Sequence, residues 1–123
     1  MSDKLYGIRG ATTVDVNEAA AIEVAVRELL SELTNANALT EDAVVSAIFS
    51  ATPDLNALYP AAAARAWGWN EAPMLCVAEM PAVSSPARCI RLLLHASLPA
   101  GQKPKHVYLR DARVLRPDWA GPT

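Results

Sequence analysis

The spacing of apolar positions changes along the chain, and each change marks an element. Ile22, Val26, Leu29, Leu30 and Leu33 recur every three or four residues, the spacing that lines one side of an α-helix. Asp15 followed by Glu18 resembles a capping box, which predicts a long helix opening there and running through Thr34. The stripe reads as core packing. Upstream, Leu5, Tyr6, Ile8 and Ala11 surround one strong cation, Arg9, in and around "GIRGATT", which otherwise reads as a buried strand. Either Arg9 is solvated at an edge or it is aimed at an anion.

Downstream, the polar "NANALTED" offers Thr40 as the cap of a short turn, and the β-branched "AVVSAIFSAT" predicts a strand over 43–52. In "PDLNALYPAAAARAWGW", Pro60 suits the first position of a short helix and Gly68 its end. The remainder is strand-like: "APMLCVAEM", "ARCIRLLLHASL", "KHVYL" and "ARVLRP". One long and one short helix with about five strands predict an α+β fold, with the helices on one face of a mixed five-stranded sheet. A chain of 123 residues cannot easily supply a second helical layer, so symmetric association, for example as a trimer, is expected to cover the other face.

With 52% hydrophobic and 20% charged residues, the chain reads as one domain over 1–123. It has no apolar run near the roughly 18 residues of a membrane span, and "MSDKLYGIRG" lacks the pattern of a signal peptide. A cytoplasmic protein without a membrane partner is expected. Cys76 and Cys89 fit no zinc spacing or multi-bridge framework, so both are expected as buried reduced thiols.

The net charge of −2 conceals an asymmetry: nine acidic residues against three basic ones up to Leu58, then four against eight. With only three lysines and an acidic total, nucleic acid is a poor partner. The second half carries single arginines at Arg65, Arg88, Arg91, Arg110, Arg113 and Arg116, whose planar forks match a small, multiply anionic ligand. Phosphate-binding and dinucleotide-binding glycine loops are absent, as is a serine nucleophile elbow. Neither His95 nor His106 has a partner at metal spacing, and His95 reads as a satisfied strand residue. No metal is expected.

Two charges inside apolar segments remain. Strand alternation puts Arg91 on the face of Cys89 and Leu93, where an unpaired guanidinium would be costly. Glu79 ends "MLCVAE", and strict alternation separates it from Cys76 unless the strand ends or bulges there. The two charges either pair with each other in the core, reach solvent or meet a ligand.

Taken together, "GIRGATT", "SATPDLNALYPA", "CVAEM", "CIR", "HVYL" and "VLRPD" resemble, in order and spacing, the monofunctional bacterial chorismate mutases of the AroH type, from Leu5 to about Asp118. The resemblance implies a homotrimeric, pseudo-barrel assembly with active sites between subunits. It also implies the cofactor-free Claisen rearrangement of chorismate to prephenate, which feeds phenylalanine and tyrosine synthesis. Carried over by motif, Arg91 would contact a carboxylate and the ether oxygen, and Glu79 would accept the substrate hydroxyl, helped by Cys76. Arg9 would turn to the substrate and Tyr108 would meet a carboxylate. Tyr59 and Arg65 would close the pocket from a neighbouring subunit, with Leu75, Val77 and Ala78 along its wall. Leu115 and Arg116 would come from the C-terminal stretch, whose residues 116–123 are expected to be mobile. Ala62 stands where the family motif usually has lysine, Leu75 where threonine is common, and Tyr59 where phenylalanine is commoner; "PAVSSPAR" lacks the usual paired glycines. These departures bear on affinity more than on reaction type. The resemblance implies an enzyme; the alternative is a non-catalytic trimeric module that binds a small dicarboxylate on the same scaffold.

Overall fold

The computed structural model describes residues 3–120. Five strands, β1 (Lys4–Thr13), β2 (Val44–Ala51), β3 (Met74–Ala78), β4 (Cys89–Leu98) and β5 (Val107–Tyr108), form one sheet in the order β3-β2-β4-β1-β5. β4 runs antiparallel to both β1 and β2, while β1–β5 and β2–β3 are parallel, so the sheet is mixed as expected. Helices α1 (Ala19–Asn37) and α2 (Pro60–Trp67) bring Ile22, Val26, Leu29, Leu30, Leu33, Ala63 and Ala64 into one core with Ile8, Phe49, Ile90, Leu92 and Leu94. Among the described residues no helix is long and apolar enough to cross a membrane.

Gly10 shows how closely α1 lies on the sheet. A Cβ added there would stand 2.8 Å from Leu33 Cδ1 and 3.2 Å from Leu29 Cδ1, so the glycine of "GIRG" makes room for the helix. Pro60 opens α2 as predicted, and Gly68, at φ 133°, closes it by donating its N–H to the Ala64 and Arg65 carbonyls.

Three expectations are corrected. The Asp15/Glu18 capping box does not form: α1 opens at Ala19 with Glu18 at the cap position, and no cap side chain hydrogen-bonds the first turn. The same helix runs past Thr34 to Asn37, because buried Asn37 ties its end to the chain before β5. Its Nδ2 donates to the Leu33 and Lys105 carbonyls, and its Oδ1 accepts the Lys105 N–H. "ARVLRP" is not a strand. Arg110, at φ 53°, turns the chain out of β5, and Arg110–Leu115 form a 3-10 helix followed by the turn α3 (Pro117–Ala120). Of the stretch 116–123 expected to be mobile, residues 121–123 lie outside the described residues.

The sheet's second face carries no helical layer. Leu5, Leu75, Val77 and Ile48 stand there 36–59% exposed. Among the described residues only its β1–β5 end is covered, where Ala112, Leu115 and Trp119 of the C-terminal segment pack on Ala11 and Tyr108.

Candidate active site

Residues opposite one another across neighbouring strands share a face, so the register alone sets out the open side. One row crosses the whole sheet: Val77, Ser50, Arg91, Ala11 and Tyr108. The adjacent row holds Leu75, Ile48, Leu93 and Arg9. Arg9, Ile48, Ser50 and Arg91 line a groove of about 280 Å³ on this face.

Glu79 lies one residue past β3, where its N–H donates to the Ala51 carbonyl at 3.0 Å. Strand parity is kept, so its side chain reaches the open face. The Glu79 carboxylate accepts the Ser50 hydroxyl at 2.6 Å, and the same oxygen stands 3.1 Å from Arg91 Nε. That oxygen is close to Nε but off its N–H direction, so that Arg91 Nε is buried without a hydrogen-bond partner among the described residues. The pair is therefore a charge contact that leaves an N–H unspent. Both side chains keep some access to solvent, at 29% and 17% exposed.

Tyr108 is 2% exposed, and its hydroxyl is the second buried polar atom without a partner among the described residues. Burial pushes that hydroxyl's pKa above its ordinary value, although Arg9, Arg116 and Arg91 pull the other way. Tyr108 therefore keeps its proton and can donate a hydrogen bond. The Arg9 guanidinium lies 6.0 Å from the Tyr108 ring centre and 5.8 Å from that of Trp119. Arg116 stacks on Trp119 at 3.4 Å and forks onto Asp118 at 3.0 and 2.7 Å, a pairing that lowers the Asp118 pKa. Leu115 packs beside Tyr108. Arg9, Arg91, Glu79, Tyr108, Leu115 and Arg116 thus gather on one side of the chain.

The other sequence-predicted residues lie elsewhere. Cys76, which is only half-buried where Cys89 is buried as expected, takes the opposite parity from Glu79 and faces α2, where its sulfur accepts the Ala61 N–H at 3.4 Å. Its thiol therefore does not meet Glu79 within the chain, so the expected joint action of the two is not formed by one subunit. Tyr59, 73% exposed, Cys76, Val77 and Ala78 line a separate cleft of about 520 Å³ between the 52–60 loop and β3. Arg65 is exposed on α2, and Leu75 is 59% exposed on the edge strand. The cleft and the open-face groove share no lining residue.

Three contributors escape a sequence reading: Ser50, which orders Glu79; His106, whose Nδ1 accepts the Arg9 N–H at 2.9 Å; and Trp119. Only Ser50 left a signal, since alternation in "AVVSAIFSAT" sets Ser46 and Ser50 on one face. Among the described residues no three His, Cys, Asp or Glu side chains gather as a metal site. The open face offers fixed cations, a hydroxyl donor and one carboxylate. Such a set suits binding and polarising an anion more than moving protons.

The chain matches the sequence profile of the family described as chorismate mutase type I over residues 5–119. It is 39% identical over 116 residues to the chorismate mutase AroH of Bacillus subtilis (strain 168), covering 93% of this chain and 91% of that one. To the chorismate mutase AroH of Thermus thermophilus it is 41% identical over 114 residues, covering 91% and 93%. Among solved structures, a chorismate mutase from Clostridium thermocellum is similar with a TM-score of 0.83 and 41% identity, over 89% of this chain and 98% of that chain.

Proposed function

The chain belongs to the type I chorismate mutases, and from that premise we propose how its residues convert chorismate to prephenate. The observation that carries the site assignment is a pair of unspent donors. Arg91 Nε and the Tyr108 hydroxyl are both buried and, among the described residues, without a hydrogen-bond partner, one strand either side of Ala11 in a single row. Buried polar groups rarely go unpaired, and two on one face suggest a ligand that completes them. Their strands are about 10 Å apart, a span that fits a small dicarboxylate.

Chorismate brings two carboxylates, an ether oxygen and a hydroxyl. Its rearrangement is concerted, so no proton need move. The protein's contribution is to hold the reactive conformer and to stabilise charge as the C–O bond breaks. Negative charge grows on the ether oxygen. Arg91, aimed there, interacts more strongly with the transition state than with the substrate, a contact worth on the order of 10²–10³ in rate. Glu79, held by Ser50, accepts the substrate hydroxyl, while Arg9, Tyr108 and Arg116 hold carboxylate. Substrate displaces the loose Arg91–Glu79 contact, so that ion pair does not favour the non-catalytic alternative.

The separate cleft at Tyr59, Cys76, Val77 and Ala78, with Arg65 and Leu75 close in sequence, is the second half of the site. In a homotrimer, that half from one subunit would face the arginine row of the next. The exposed apolar face at Leu75, Val77 and Ile48 supports such burial. Cytoplasmic action is supported by two free thiols, Cys76 and Cys89. The test follows chorismate absorbance with the purified protein and confirms prephenate by acid conversion to phenylpyruvate. Saturable decay with a solution mass about three times 13.1 kDa is expected. A folded protein without decay above background would leave only a binding scaffold.

A further inference from the structure

β5 is two residues long, yet the β1 main chain beside its start is not left unpaired. The Arg9 N–H donates to His106 Nδ1 at 2.9 Å, so a ring nitrogen stands where another backbone acceptor of β5 would be. To accept there, Nδ1 must be bare, which makes His106 neutral with its proton on Nε2. The same ring stacks on Trp119, with centres 4.0 Å apart and planes 30° from parallel. Trp119 in turn has Arg116 on it at 3.4 Å, Arg9 at 5.8 Å and the Tyr108 ring at 6.1 Å.

We infer that His106 and Trp119 are positioning residues that set Arg9 for the substrate carboxylate, His106 by fixing its main chain and Trp119 by holding its guanidinium beside Tyr108. This rests on Arg9 as a substrate-binding residue. The charges acting on His106 are Arg9 on β1 and Arg116 on the C-terminal segment; Asp118 is paired to that Arg116, and Tyr108 lies two residues further along the chain, at the end of β5. Burial, then Arg9 and Arg116, hold its pKa below the ordinary 6.5, so the acceptor persists at neutral pH. Protonation on the acid side sets Nδ1–H against the Arg9 N–H, donor facing donor, and adds a third cation to the cluster. A carboxylate is held in substrate and transition state alike, so the loss falls on KM rather than kcat.

The experiment measures KM and kcat for chorismate from pH 5 to 8 in His106→Phe, His106→Asn, Trp119→Ala, Trp119→Phe and Arg9→Ala. His106→Phe keeps a stacking ring without the acceptor, and its KM rises about three- to tenfold while kcat stays within about twofold. His106→Asn offers Oδ1 in place of Nδ1, so its KM at pH 7.5 stays near native and the acid-side rise in KM disappears. Trp119→Ala raises KM, and Trp119→Phe restores most of it. A native KM and pH profile in His106→Phe, with KM raised in Arg9→Ala, overturns the positioning role. A native KM in Arg9→Ala overturns Arg9 itself. Should His106→Phe not fold, an acid-side KM rise that persists in His106→Asn overturns the inference.

Discussion

β4 serves two surfaces in alternate residues. Ile90, Leu92, Leu94, Ala96 and Leu98 turn to the helices and none is more than 1% exposed, whereas Arg91, Leu93, His95 and Ser97 between them are half-buried on the open face. The helix side is filled by apolar neighbours. The open side keeps donors unspent and apolar surface uncovered. Along β4, strand parity thus divides stability from function: a side chain's neighbours one residue along belong to the other task.

That division is most sharply broken from the helix side. Phe49, fully buried in the core from β2, takes the opposite face from the row it adjoins in sequence. Phe49→Ala should cost about 3–5 kcal/mol of stability in a denaturant titration, while the folded fraction keeps near-native kcat. Arg91→Ala should do the reverse. It should lose at least about 10²–10³ in kcat, and Tm should move little because its ion pair is part-exposed and misaligned. A collapse of the fold in Arg91→Ala, or near-normal kcat, would show the two faces are not separate in this way.

The next effect tests whether the open face is buried by other copies. Leu75→Asp places a charge on an exposed edge strand, where an isolated chain tolerates it. In a trimer the charge would be desolvated at an interface, so sedimentation should show dissociation by tenfold or more, about 1.4 kcal/mol, with activity falling in step. Unchanged mass and activity would place the subunit contacts elsewhere.

Most of this arrangement was legible in the sequence because two signals differ. A repeat of three to four residues marked α1, and short apolar or β-branched runs marked β1, β2, β3 and β4. The same kind of run misled at "ARVLRP", where Ala112, Val114 and Leu115 suggest a strand but Arg110 has already turned the chain left-handed. A cap signal misled at Asp15 for a related reason: whether its side chain meets the helix depends on a backbone path no spacing records. In the site, Arg91 and Glu79 stood out as charges within apolar strands, and parity correctly set Cys76 apart from Glu79. His106 did not stand out, because its partner Arg9 lies 97 positions away and the bond runs to a backbone N–H. Ser50 and Glu79, 29 positions apart, meet only through the β2–β3 register. Tyr59 and Arg65 needed the family resemblance, since on one chain Tyr59 lines a different cleft and Arg65 is exposed on α2.

The smallest effect is informative through its sign. The Tyr108 hydroxyl is buried, without a partner among the described residues, and kept protonated by burial. Removing a buried donor that nothing satisfies should not destabilise the protein, and can raise its Tm slightly, because the desolvation cost disappears with the group. Tyr108→Phe should therefore leave Tm equal to or just above the native value. It should also lower kcat/KM about three- to tenfold, since a neutral donor to a carboxylate is lost on binding. A matched loss of stability and activity would mean that the hydroxyl is spent within the fold. Only a loss of activity without a loss of stability is what a donor reserved for substrate produces.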